Sequence, residues 1–208
     1  MTELPGTAIS GDAGLQLEEI LGDLVVAPLG GRATSGRSLQ VEIVGPHLRL
    51  SGKLNLGPYH RITDLVNSQD GLFRISDAVV LRRSGEPTKV SVPDLWVSPG
   101  EVTLIAEVAS TGVSAPSPDF MIPKRPTGLI VVTPGHTVTG EVYIPEGAQL
   151  SVFIESPTPP FIPMTSVRTR SLADRRVRAT YAFAALNRRH IVAASPLPEH
   201  FVGDRGAL

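Results

Sequence analysis

The chain has no cysteine among its 208 residues, and aromatic side chains make up only 5% of it. The absence of cysteine excludes a disulfide scaffold, thiolate zinc sites, iron–sulfur clusters and a thiol nucleophile. No run of about 18 apolar residues is present, so the sequence predicts no membrane-spanning helix. No basic segment followed by an apolar stretch, as in a secretory signal, opens the sequence. We therefore expect a cytoplasmic protein.

Glycine and proline are abundant, with 20 Gly and 19 Pro. Proline removes a backbone hydrogen bond and clashes with the preceding turn of a helix, and glycine weakens helices through its conformational freedom. An all-helical bundle is therefore disfavoured, and the composition predicts a β-rich fold with many turns. A chain of this length can bury a sizeable core as one large domain or as two small ones.

The second half of the chain resembles the first when the sequence is shifted by 88 residues, which places Gly52 over Gly140. Single-residue gaps on either side extend the match. Other positions that coincide are Leu56 with Ile144, Phe73 with Phe161, His47 with His136 and Trp96 with Phe183. An apolar pattern that is preserved over about 70 residues indicates an internal duplication.

Each copy predicts the same series of short elements. Two strands joined by a tight turn come first, a short amphipathic helix follows, and two or three more strands end the copy. Five strands and one short helix are typical of a small, strongly bent β-barrel of Sm-like shape. The expected fold is therefore mainly β, with two tandem Sm-like β-barrel repeats and an N-terminal amphipathic helix. The predicted organisation is a flexible N-terminal segment over 1–38 with a helix at about 13–25, a first repeat over 39–109, a Pro-rich linker over 110–127, a second repeat over 128–195 and a flexible tail over 196–208.

The N-terminal segment has the pattern of an amphipathic helix with an acidic back. Its apolar face spans only three turns, too short to be stable alone in water, so it must pack on another surface. We expect this face to dock onto a protein partner. Its residues are Leu17, Ile20, Leu21 and Leu24.

Basic residues are concentrated near the end of the second copy, while residues 1–30 carry five acidic residues and no Lys or Arg. Such asymmetry indicates either a contact between the two segments or an anionic partner, nucleic acid included. A solvated face is the third interpretation, because aromatic stacking partners near the arginines are few. The candidate anion-binding residues are Arg168, Arg170, Arg175, Arg176, Arg178, Arg188 and Arg189. Arg168 and Arg170 are expected to alternate along one strand, and Arg176 and Arg178 along the next, so that each pair shares a face.

No motif for catalysis is present. The sequence lacks a nucleophile elbow and any fingerprint for a nicotinamide, flavin or pyridoxal cofactor. None of the five histidines stands three or four residues from another, so no local metal pair is formed. We expect a protein that is not an enzyme, with no catalytic residues, no metal and no cofactor.

Two fragments of the first copy, R-I-T-D-L-V-N at 61–67 and L-F-R-I-S-D-A at 72–78, carry a family resemblance. The second copy adds I-P-E-G at 144–147 and N-R-R-H-I-V at 187–192. Together they resemble a small β-rich domain of uncharacterised bacterial proteins. The resemblance implies fold and duplication, and it brings no activity.

These observations favour a non-enzymatic scaffold or assembly protein that oligomerises or docks onto a protein partner. Short barrels leave strand edges to which another chain can pair. The alternative is a regulatory protein that binds an anion or a nucleic acid through the arginine cluster.

Overall fold

A computed structural model describes residues 36–81, 89–109 and 123–197 of the chain. The first half of the described chain contains β1 (Ser38–Val44), β2 (Arg49–Asn55), α1 (Ile62–Ser68), β3 (Phe73–Leu81), β4 (Lys89–Val97) and β5 (Leu104–Ala109). The second half contains β6 (Lys124–Val132), β7 (His136–Pro145), α2 (Leu150–Glu155), β8 (Phe161–Ser171), β9 (Arg178–Asn187) and β10 (Ala193–Pro196). The prediction of a mainly β fold is confirmed.

All ten strands belong to one antiparallel sheet in the order β10-β6-β7-β8-β9-β5-β1-β2-β3-β4. Within each half the fifth strand lies beside the first, and the second, third and fourth follow in sequence order. The helix of each half connects the second strand to the third. The two halves therefore have the same strand order, and they meet where β5 pairs with β9.

The sheet is open, with β10 and β4 at its ends, so the prediction of two closed barrels is wrong. Closing the first half would require β5 to pair with β4. At residues 104–106 both edges of β5 are already taken, because it pairs with β1 on one side and with β9 on the other. A strand can hydrogen-bond to two neighbours only.

Strand alternation produces two hydrophobic cores. In β2, for example, Leu50, Gly52 and Leu54 are buried, whereas Ser51 and Lys53 between them are partly or fully exposed. This is expected because successive side chains of a strand point to opposite faces. The first core contains most of the buried residues of the first half, and the second core contains most of those of the second half. Each core also takes a few residues from the other half at the junction.

A glycine and a bulge recur in both halves. Gly52 lies opposite Val41, and Gly140 lies opposite Leu129, 88 residues further along. Beside each glycine the ladder to the next strand shifts register, and a non-glycine residue there has a positive φ, 50° at Asp77 and 52° at Ser166. Asp77 and Ser166 are 89 residues apart, and this offset holds from β3 onward, whereas the first two strands of the halves are offset by 88.

This register corrects three pairs of the sequence comparison. Phe73 pairs with Val97 and Ile162 with Leu186, so Phe73 corresponds to Ile162 and not to Phe161. Ile75 pairs with Leu95 and Met164 with Ala184, so the residue that corresponds to Trp96 is Ala185 and not Phe183. In the first turn of each half, the N–H of Gly45 donates to Leu48 O and the N–H of Thr133 to His136 O. His136 therefore corresponds to Leu48 and not to His47.

One boundary of the predicted organisation differs in the structure. The second half begins with β6 at Lys124, four residues before the predicted 128, and its first residues pair only with β7. Pro126 is accommodated there because no other described strand requires its missing N–H. The predicted N-terminal helix over about 13–25 lies outside the described residues.

Candidate functional site

The sheet passes from one half to the other through a ladder between β5 and β9. Its three residue pairs are Leu104 with Leu186, Ile105 with Ala185 and Ala106 with Ala184, and all six residues are at most 1% exposed. Ile105 and Ala185 pack into the first core, and the other four pack into the second. The consecutive apolar residues of these strands are explained by burial on both faces.

An asparagine near the end of α1 fastens the first half to the second. The Nδ2 group of Asn67 donates to the carbonyl oxygen of Phe161 over 2.9 Å, and its Oδ1 accepts the N–H of Phe161 over 2.8 Å. The side-chain amide holds an NH₂ donor group and a carbonyl acceptor in one plane, as a peptide group holds its N–H and C=O. It therefore pairs with the first residue of β8 as a neighbouring strand residue would.

A second asparagine, Asn187, makes the reciprocal connection at the end of β9. It is 1% exposed, and its Nδ2 group donates to Pro99 O over 3.0 Å and to Val102 O over 2.8 Å. Its backbone N–H donates to Thr103 O over 2.9 Å, which continues the β5–β9 ladder by one residue. The first half has a 3₁₀ turn at Pro99–Glu101, between β4 and β5, and a side chain of the second half thus holds it.

His190 binds the same turn. Its Nε2 lies 2.7 Å from Gly100 O, and its Nδ1 lies 2.7 Å from Thr103 Oγ1. A carbonyl oxygen can only accept, so Nε2 carries a proton. Both ring nitrogens are engaged in joining the two halves. Among the described residues, no group of three or more His, Asp or Glu side chains could hold a metal ion.

The outermost strands, β4 and β10, each pair with one neighbour among the described residues. Leu72, next to the start of β3, is 57% exposed, and Trp96 in β4 is 46% exposed. At the other end of the sheet, Val192 beside β10 is 67% exposed. Apolar side chains exposed beside strand edges are typical of protein interaction surfaces.

The seven candidate anion-binding arginines do not form one surface. Four surround the tip of the β8–β9 hairpin: Arg170 lies directly opposite Arg178, and Arg175 and Arg176 are exposed in the connecting loop. Arg168 lies two residues before Arg170 in β8, further from the tip, and on the same face as Arg170. This was predicted from their spacing.

Arg176 lies in a turn rather than on the next strand, so the prediction that it alternates with Arg178 along a strand is wrong. The N–H of Arg176 donates to Asp174 Oδ1 over 2.9 Å, and the N–H of Val177 donates to Asp174 O over 3.0 Å. An aspartate that accepts backbone N–H groups in this way stabilises a turn. The strand therefore begins only at Arg178.

Arg188 and Arg189 lie at the opposite end of the same hairpin. The guanidinium of Arg188 donates to Pro159 O over 2.9 Å and to Ile154 O over 3.2 Å, and it also donates to Phe153 O. Its Cζ lies 4.7 Å from the centre of the Phe153 ring, and burial lowers the pKa of Arg188. Arg188 thus holds the end of α2, while Arg189 is exposed.

The predicted docking residues Leu17, Ile20, Leu21 and Leu24 lie outside the described part of the chain. In that described part, neither helix has the length and apolar character needed to cross a bilayer.

Sequence reasoning did not identify the residues that join the halves. Asn67, Asn187 and His190 stood in the fragments that carry the family resemblance, but nothing local indicated what they bind. Trp96 was aligned with Phe183, and nothing in the sequence predicted that it would be 46% exposed. None of the family models, curated proteins and solved structures compared with this chain matches it.

Proposed function

We propose that the chain is a non-enzymatic assembly protein made of two tandem units, Sm-like in general shape but joined in one open sheet. It oligomerises, or docks onto a protein partner, by pairing the outer strands of its sheet with strands of another chain. The observation that carries this proposal is the β5–β9 junction, because there two five-stranded units associate through strand edges within one chain.

The common strand order of the halves supports the tandem duplication. So do the recurring glycine, bulge and positive-φ residue, since a bulge is a specific feature that chance rarely repeats at corresponding positions. The resemblance to a small bacterial domain is part of the same proposal. Its asparagine and histidine positions serve the contact between units, so association is the property that the motif would bring.

Sedimentation velocity of the full chain over a wide range of concentrations tests the proposal. We expect species larger than the 22.1 kDa monomer, with a fraction that grows with concentration. The proposal is contradicted if the chain has the monomer mass at every concentration and also binds no added protein or peptide that could pair with its outer strands.

A second candidate function is anion or nucleic-acid binding at the hairpin tip, because Arg170 directly opposite Arg178 places like charges across a ladder. Such a pair is destabilising unless an anion lies between the two side chains. Binding to duplex DNA should then weaken with salt, with a log–log slope of about −0.9 per phosphate neutralised. Arg170→Glu should reduce the affinity and the slope, and Arg189→Glu at the far end should not. No binding at low salt eliminates this candidate.

A further inference from the structure

We infer that the partner of β4 is β10 of a second copy of this chain, paired in the register of the β5–β9 junction. This inference rests on the proposed function and adds to it the identity of the partner, the two strands and their alignment. The chain itself supplies the template, since a fourth strand already pairs with a fifth strand inside it.

The register follows from corresponding positions. Val44 pairs with Leu104 and Val132 with Ala193, so Ala193 corresponds to Leu104. Phe73 pairs with Val97 and Ile162 with Leu186, so Val97 corresponds to Leu186. The three pairs of the internal ladder then predict three pairs between chains: Ala193 with Val97, Ala194 with Trp96 and Ser195 with Leu95.

The side chains of the two strands complement each other. In each pair the β10 residue is smaller than the β4 residue, most clearly for Ala194 and Trp96. Pairing two copies of β4 would oppose bulky side chains, and pairing two copies of β10 would leave gaps. Pro93 and Pro196 lie outside the three pairs, so neither removes an N–H that the ladder needs.

Exposure at the two ends of the sheet supports the same arrangement. The residue that corresponds to Leu72 is Phe161, which is buried at the junction, whereas Leu72 is 57% exposed. Likewise Trp96 corresponds to the buried Ala185, and Val192 to the buried Thr103. The internal junction buries three positions whose counterparts at the two ends of the sheet are apolar and exposed. This is expected of a surface that a further copy covers.

The junction between chains is expected to be weaker than the internal one. In the junction between chains, Glu155 takes the position that Asn67 has in the internal junction, and its carboxylate lacks the amide donor. Ser98 takes the position of Asn187. Assembly should therefore be reversible. Because β4 and β10 are different surfaces, the contact is head-to-tail, and its repetition gives a ring or an open filament.

Engineered disulfides test the register directly, because the native chain contains no cysteine. Trp96→Cys and Ala194→Cys are prepared as separate full-length variants, mixed and mildly oxidised. Directly opposed strand residues have Cα atoms within disulfide range. We expect cross-linked dimers in the mixture and only background amounts from either variant alone. Leu95→Cys with Ser195→Cys provides a second pair that leaves Trp96 in place. As the control, the β10 variant is mixed with Tyr143→Cys, an exposed position on β7, in place of the β4 variant.

The outcomes separate this inference from the proposed function. Oligomers in sedimentation without either specific cross-link overturn the inference and leave the assembly function standing. Monomers throughout overturn the inference, and they overturn the assembly function as well if the chain also binds no protein strand. A dimer of Trp96→Cys with itself overturns the head-to-tail arrangement. In a second measurement, Glu155→Asn should lower the concentration at which assembly is half complete, and Glu155→Ala should not.

Discussion

Replacing Asn187 by alanine should lower the free energy of unfolding by about 3 kcal/mol, the largest effect that we expect from a single polar side chain here. The substitution removes two donated hydrogen bonds and leaves the oxygens of Pro99 and Val102 without the amide, at a site that is 1% exposed. A chain of this size should then melt roughly 6–12 °C lower. Thermal and denaturant unfolding measure both quantities.

Asn55→Ala is the control for this prediction. Asn55 Oδ1 accepts the N–H of Gly57 over 2.8 Å at an exposed position, so its loss should cost less than about 1 kcal/mol. Equal effects of the two substitutions would show that Asn187 does not hold the halves together.

Gly52→Ala should destabilise the protein by about 2 kcal/mol because the added methyl group has no room. Its Cβ would lie 2.4 Å from Ile75 Cγ2 and 3.0 Å from Ser76 O. Ile75 is fully buried and β-branched, so it cannot rotate away cheaply. Gly140→Ala should also destabilise, since its Cβ would lie 2.9 Å from the backbone oxygen of Thr165.

Gly71→Ala is the matched control, because a Cβ there would meet nothing within 4 Å. We expect its unfolding free energy to stay within about 0.5 kcal/mol of the native value. If Gly52→Ala is equally harmless, then the close approach of β2 and β3 is not what requires glycine at this position.

The short elements were predictable because their signals are local. Ile62, Leu65 and Val66 follow helical spacing, and all three are buried in α1. The alternating patterns of the strands likewise require only neighbouring residues.

Exact register was harder to predict because alternation repeats every two residues. Aligning Trp96 with Phe183 instead of Ala185 is an error of two positions, which leaves every residue on the same face. Aligning His47 with His136 is an error of one, favoured by an identical residue in a turn. The bulges at Asp77 and Ser166 that fix the register leave no clear local signal.

The open sheet and the separation of the arginines depend on long-range contacts. Whether β5 closes on β4 or pairs with β9 is decided by the competition of distant edges for one strand. Similarly, Arg188 is close in sequence to Arg178 but lies at the other end of a strand, where it binds the end of α2. Proximity in sequence could not distinguish a basic surface from two separate sites.

Amide hydrogen exchange at two concentrations tests the central claim most directly, because it reports on the strand edges themselves. On concentrating the native protein, protection should rise at Trp96 in β4 and at Ala194 in β10 together. In the internal ladder the N–H of Asn187 donates to Thr103 O, so two residues further on the N–H groups of Ile105 and Ala185, the counterparts of Ala194 and Trp96, face the opposite strand. Ile105 and Ala185, already paired within the chain, should not change. Exchange in both outer strands that is independent of concentration, or protection that rises in only one of them, would contradict the account.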